Sequence, residues 1–306
     1  MIGRMTRALV ALLAVAVGAA GIYAIGARQA HDHAPITLEA VPANHLAFAS
    51  YQPGTWKRTV FILALGSDER AGLGGARTDA IHVIGLNPAL GRATFIDIPR
   101  DTWVDIPGHG QGRINEAYGD GGVALTAQTV SQLVGVPISY VLVTTFAGFT
   151  KMVDGIGGVN VDVPYLMSDP NSGAAFNPGL QHMNGAQALS FSRDRHIPDG
   201  DLARTGHQGQ LIIHALTDLR AKGTTLTDIV RDLDVLYRNV RTIGISPTDL
   251  FRLAQTALAI RPENIRNYTM PAALGFKGAA SVVFVRQPDA SSVFADFADD
   301  AVLQTH

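Results

Sequence analysis

Four short clusters fall within one stretch of the chain, each at the end of an apolar run: Gly66-Ser67-Asp68, Arg77-Thr78-Asp79, Ile98-Pro99-Arg100-Asp101 and Arg113-Ile114-Asn115. Carboxylates and guanidiniums that recur this way can gather a divalent cation and a phosphate-rich ligand at one edge of a sheet. Asp68 and Asp79 are eleven residues apart, so a loop can bring them side by side. Two adjacent carboxylates repel unless a cation neutralises them. Magnesium suits such a site, since it takes one or two carboxylates together with water and phosphate oxygens. Ordinary loop capping by aspartate is the competing reading.

Arg100 follows Pro99, which ends its strand because proline cannot donate to the ladder. A guanidinium at a strand end offers planar, bidentate donors matched to phosphate. Asp101 is placed to accept a hydroxyl proton as a general base; an intramolecular Arg–Asp surface pair is the alternative. Downstream, Arg193 and Arg195 are two apart in a stretch, 188–195, that reads as strand-like. Period-two geometry would set both on one face with Leu189 and Phe191. Two guanidiniums among apolar side chains are costly unless an anion joins them. In the helix expected after Gly200, Arg204 and Gln208 are one turn apart, and their stripe continues through Leu211, Ile212, Ala215 and Leu219. That stripe should face inward, near a helix N-terminus that favours anions. Asp201 is expected to cap it.

The elements that must position these groups alternate along the chain. Residues 59–66, 80–86, 92–98, 139–144, 159–163, 265–270 and 281–285 read as strands, the second and third joined as a hairpin. Residues 122–134, 146–153, 201–222 and 226–240 carry helical spacing, and Ser246 opens another helix. The acidic C-terminus reads as helical. The fold class that follows is α/β, a three-layer α/β/α domain with a mixed central sheet.

The chain has 306 residues and a net charge of −2. No global basic field points to nucleic acid, so any anion site must be local. With no cysteine, disulfides, zinc-thiolate sites and thiol catalysis are excluded. No Gly-x-Ser-x-Gly or His-Glu-x-x-His occurs. Gly72, Gly74 and Gly75 lack the Gly-Lys-Ser/Thr of a phosphate-binding loop. Among the ten histidines, His31-Asp32-His33 lies in a linker, and His82, His109, His196 and His214 show no ligand spacing. Residues 8–27 form an uncharged run long enough, at about 30 Å, to cross a bilayer as one transmembrane helix. Arg4 and Arg7 before it hold residues 1–7 in the cytoplasm. The length favours an uncleaved signal anchor over a cleaved signal peptide. Residues 28–56 read as an extracytoplasmic linker and 57–306 as the catalytic domain, so the protein is expected in the cell membrane, single-pass, with that domain outside.

Taken in order, the clusters resemble the LytR-CpsA-Psr family. The matching run extends through Arg113-Ile114-Asn115-Glu116-Ala117-Tyr118, Gly157-Gly158-Val159, Gly185-Ala186-Gln187-Ala188-Leu189, Arg193-Asp194-Arg195 and from Gly200-Asp201 through Arg204 to Gln208. The resemblance is strong over about residues 57–225. It implies a membrane-anchored phosphotransferase that moves an anionic glycopolymer from a polyprenyl-pyrophosphate carrier onto peptidoglycan, with no nucleic-acid partner. It implies Mg2+ on Asp68 and Asp79, and pyrophosphate on Arg100, Arg193, Arg195 and Arg204, with Gln208 lining the head-group site. Arg77 and Arg113 fall on further positions of the motif. The chain departs from the family at His207, where arginine usually precedes the helix glutamine. A neutral ring there would remove one positive charge from the pocket. The same pocket would also serve a polyprenyl-pyrophosphate hydrolase, or a non-catalytic lipid-binding or regulatory protein.

Overall fold

A computed structural model describes residues 59–68, 77–194, 200–223 and 225–304. The expected anchor at 8–27, the linker at 28–56, the glycines at 72–75 and Arg195 lie outside the described residues. Among the described residues, no helix is long and apolar enough to cross a membrane.

A six-stranded mixed sheet organises the chain. It is built from β1 (Val60–Ser67), β2 (Thr78–Asn87), β3 (Arg92–Asp97), β6 (Tyr140–Thr145), β11 (Val240–Ile243) and β12 (Ile265–Thr269), in the order β11-β6-β1-β2-β3-β12. β1–β2, β2–β3 and β6–β11 are antiparallel, whereas β1–β6 and β3–β12 are parallel. The hairpins β4 (Trp103–Ile106)–β5 (Gly110–Arg113), β8 (Met167–Asp169)–β9 (Ala174–Phe176) and β13 (Ala272–Lys277)–β14 (Ala280–Val285) stand outside it, as does the antiparallel pair of β7 (Val159–Val163) with β10 (Gly179–Met183).

Alternation along the strands separates two layers. Phe61, Leu63 and Leu65 of β1, Ile81 and Val83 of β2, and Val141 and Val143 of β6 share one core cluster. α1 (Glu116–Val134) and α7 (Asp289–Asp300) cover it. Phe297 meets Phe61 edge-on, with ring centroids 5.2 Å apart. The opposite face carries Ala64, Gly66, Ala80, His82, Ile84, Leu142 and Thr144. Over it lie α2 (Phe146–Gly155), α4 (Asp201–Lys222), α5 (Leu226–Asn239) and α6 (Pro247–Ala259). The expected α/β/α arrangement with a mixed sheet is therefore what the described residues form.

One expected element is different in kind. Residues 188–193 are not a strand: they belong to a helix, α3 (Gly185–Arg193). The reason is local. Asn184 caps the N-terminus by accepting from Gln187 N–H, and Gln187 returns the bond, a reciprocal capping box. Ala188, Phe191 and Ser192 then bury one helical stripe. The two-residue spacing of Arg193 and Arg195 therefore carries no strand geometry, and the one-face argument built on it does not hold. The cap expected of Asp201 is also absent: Gly200 occupies the N-cap, and Asp201 pairs with Arg204 at 2.7 Å.

α3 can seat only because Gly185 has no side chain. A Cβ there would fall inside the contact radius of the Thr150 carbonyl oxygen on α2. Gly185→Ala should cost about 1–3 kcal/mol or more by forcing two backbones apart, read as a lower urea midpoint.

Candidate active site

Between the inner face of the sheet and helices α2, α4 and α5 lies a cavity of about 590 Å³. Its floor is made of small residues, Ala64, Gly66 and Ala80, which leave room that larger side chains would fill. Its body is aliphatic and aromatic: Phe149, Met152, Ile156, Ile212, Leu216, Leu219 and Leu236 line it. One end is polar. Asp79, Arg100, Arg193, Arg204 and Gln208, from four separate elements, meet there.

Each polar group is aimed by a definable device. Gly66 pairs with Ala80 but Ser67 pairs with Thr78, so Asp79 is the extra residue of a β-bulge. A bulge re-aims a side chain that regular pleating would send elsewhere, and here Asp79 reaches the cavity. Arg100 sits in the turn after β3 and donates from Nη1 to Asp79 Oδ1; its Nε lies 3.6 Å from Asp101 Oδ2. Burial works to lower the Arg100 pKa, but Asp79, Asp101 and Asp201 outweigh it and hold the guanidinium firmly charged. Arg193 ends α3 with its guanidinium 5.1 Å from the Phe146 ring centroid, a cation–π contact. Arg204 is 2% exposed, so it does not snorkel outward. Gln208 donates to the Ser192 carbonyl at 3.0 Å, tying α4 to α3, while its buried Oε1 has no hydrogen-bond partner.

The remaining candidates sit elsewhere. Asp68 closes the neck of the β1–β2 hairpin: its N–H donates to the Arg77 carbonyl at 3.0 Å and its Oδ1 accepts from Arg77 N–H at 2.6 Å. It is one residue beyond the bulge, beside the strand that carries Asp79, but is not part of the cavity lining. The exposed Arg77 is not either. Arg113 donates to the Ser281 carbonyl at 2.9 Å, and its Nε lies 3.9 Å from Asp101. Asp101 thus stands between two guanidiniums and off the cavity wall, which suits orienting Arg100 better than meeting a hydroxyl. Among the described residues no group of three or more histidine or acidic side chains is gathered as a metal site. Asp79 on the cavity wall and Asp68 at the end of the adjacent strand supply the one or two carboxylates that magnesium needs.

Sequence reasoning missed Asp169, Asn171 and Ser172, which reach the cavity from the β8–β9 turn. The turn-forming run Asp169-Pro170-Asn171-Ser172-Gly173 was the available signal. It also missed Thr144 and Thr145. Thr145 caps α2 by accepting from Gly148 N–H at 3.1 Å.

The LytR_cpsA_psr family model matches residues 27–298. The chain belongs to the LytR-CpsA-Psr family. A Bacillus anthracis protein named polyisoprenyl-teichoic acid–peptidoglycan teichoic acid transferase TagU is 38% identical over 185 residues, 60% of this chain and 60% of that one. The namesake from Oceanobacillus iheyensis is 34% identical over 242 residues, covering 76% and 74%. The chain thus spans 60% of the length of the first of these relatives. The crystal structure of B. subtilis TagV shares the fold, with TM-score 0.71 and 24% identity over 80% of this chain and 98% of that one.

His207, the departure from the family pattern, is absent from the cavity wall. It is packed against Phe191, with ring centroids 5.2 Å apart, and its Nε2 lies 3.3 Å from the Tyr165 hydroxyl. Burial lowers its pKa from the ordinary 6.5, and Asp194 only partly opposes this. The unfolded chain therefore binds a proton near pH 6.5 that the folded ring refuses. Stability contributed by His207 is present above that pH and lost as pH falls toward the depressed folded value. His207→Gln should remove this slope, so that wild type and variant differ in urea midpoint at pH 7.5 and converge toward pH 5.

Proposed function

We propose that the protein transfers an anionic glycopolymer from a polyprenyl-pyrophosphate carrier to peptidoglycan. The observation that carries this reading is the composite cavity: a polar end with three arginines continuous with a greasy body about the size of a ligand pocket. An amphiphile with a diphosphate head and an isoprenoid tail matches both halves. The TagU relatives act, by name, on a polyisoprenyl-linked teichoic acid and peptidoglycan, which supports the carrier, the polymer class and the acceptor.

In this reading Arg100, Arg193 and Arg204 hold the diphosphate, with Arg195 as a further donor. Asp68 and Asp79 would hold a magnesium ion, which would supply charge neutralisation on the phosphate oxygens. Arg100, which faces Asp79 across the polar end, turns its remaining donors to the ligand. Gln208 keeps α4 seated on α3 through its amide donor. An acceptor sugar hydroxyl attacks the phosphorus nearest the glycan, and polyprenyl phosphate leaves within the cavity. The residues act by positioning and by countering charge, as in phosphoryl transfer generally. Asp101 orients Arg100. The run at 8–27 serves as a single-pass anchor that keeps the cavity beside its membrane-borne substrate.

In a reconstituted assay with carrier-linked glycan and peptidoglycan, Arg100→Ala and Asp79→Ala should each lower kcat by about 10²–10³-fold. Unchanged ligation by both variants would remove the site. Release of free glycan phosphate with none joined to the wall would identify a hydrolase instead. Leu216→Trp should narrow the apolar body and weaken retention of polyprenyl phosphate, while the unfolding free energy from urea titration stays within about 1–3 kcal/mol of wild type.

A further inference from the structure

The cavity wall carries one ionisable pair that the reading above leaves unused. His82, on the cavity face of β2, puts its Nδ1 2.6 Å from Asp97 Oδ1 on the neighbouring strand. Both are buried, at 2% and 0% exposure. α4 lies directly over them: a Cβ at Gly209 would collide with both carboxylate oxygens of Asp97. With Nδ1 committed, Nε2 is the nitrogen left for the cavity that the ring lines. Burial pushes the Asp97 carboxyl above its ordinary range, and His82 pulls it back.

Position gives the pair its meaning. His82 lies two residues along β2 from Ala80, about 7 Å further in, opposite Ala64. On α4 the polar Arg204 and Gln208 give way to Leu211 and Ile212 at the same level. His82 therefore stands where the polar end of the cavity meets the greasy body. For an amphiphile whose head sits at Arg100 and Arg204, this is where the lipid-side phosphate falls.

We propose that His82 is a catalytic residue, the general acid for the departing polyprenyl phosphate, with Asp97 as its positioning residue. The assignment rests on the transferase reading. The acceptor hydroxyl oxygen bonds to the glycan-side phosphorus, and the bond from that phosphorus to the bridging oxygen breaks. His82 Nε2–H gives its proton to the bridging oxygen, which leaves on the lipid phosphate. The hydroxyl proton passes to water, and water later reprotonates His82. Asp97 on β3, Asp79, Arg100 and Arg193 at the polar end, and Arg204 on α4 are charged groups around this path; Asp169 and Asp232 also line the cavity.

The test compares two substrates that differ in one atom: carrier-linked glycan with oxygen, or with sulfur, bridging its two phosphorus atoms. Sulfur leaves without needing an acid. On the oxygen substrate His82→Asn should lower kcat about 10²-fold with little change in KM. On the sulfur substrate wild type and variant should turn over alike. Equal losses on both substrates, or no loss on either, would overturn the assignment while leaving the transferase reading intact. A wild-type protein that joins no glycan to peptidoglycan overturns both. A measurement on the unaltered chain guards against a variant that fails to fold. Geranylgeranyl pyrophosphate should shift the ¹⁵N resonance of His82 Nε2, and geranylgeraniol should not; a resonance indifferent to the pyrophosphate also defeats the proposal.

Discussion

Everything at this site depends on keeping helix α4 lifted off the sheet. Protein interiors close-pack, and an aliphatic hollow loses contact energy on every wall. A hollow of about 590 Å³ therefore needs a roof held in place from outside. The props are polar and run the length of α4. Near its start, Asn267 donates to the Gly206 carbonyl at 2.9 Å and Gln208 reaches the Ser192 carbonyl. Toward its end, Asp218 accepts from Asn160 N–H at 2.6 Å and from the Asn160 amide at 3.0 Å. Arg220 donates to the Leu258, Ala259 and Ile260 carbonyls, the free end of α6, and Lys222 to the Ile156 carbonyl beyond α2. These bonds fix the roof to its neighbours without filling the space beneath. The natural occupant of such a space is an apolar chain, which restores the missing contacts.

How much of this was legible in the sequence follows from the range of each signal. The strands at residues 59–66 and 80–86 were readable as short apolar runs, because one face packs on α1 and α7 and the other on the helices opposite. The helix after Gly200 was readable from a 3.6-residue stripe, and that stripe does line the cavity. Arg193 was misplaced on a strand because Leu189, Phe191 and Arg193 also fit a period of two; the deciding signal, Asn184 with Gln187, lay just upstream. The bulge at Asp79 was not legible, since a one-residue register shift depends on the partner strand and leaves no mark in the local pattern. Nor was the cavity itself: Ala64 and Ala80 read as ordinary strand residues until α4 is seen to hold its distance. His82 was dismissed for lacking ligand spacing, yet its partner Asp97 comes from the next strand, a relation that only hairpin register reveals.

Arg113 and Asp101 show why a motif match and a place in a site are separate facts. Both belong to the clusters that mark the family, and both carry groups suited to phosphate chemistry. The fold spends them on joining the turn after β3 to β14, through the Ser281 carbonyl and the Asp101 carbonyl, which accepts from Val283 N–H at 2.9 Å. What that junction secures is the turn holding Arg100. The guanidinium that faces the cavity is thus set in place by a second guanidinium that does not, with Asp101 between them. Before any ligand arrives, Arg100 already faces Asp79 and Arg204 faces Asp201. Binding a diphosphate is then an exchange of partners among charges that never go uncompensated. Such a site avoids the cost of isolated buried cations, and it admits a dianion only if Asp79 finds another partner.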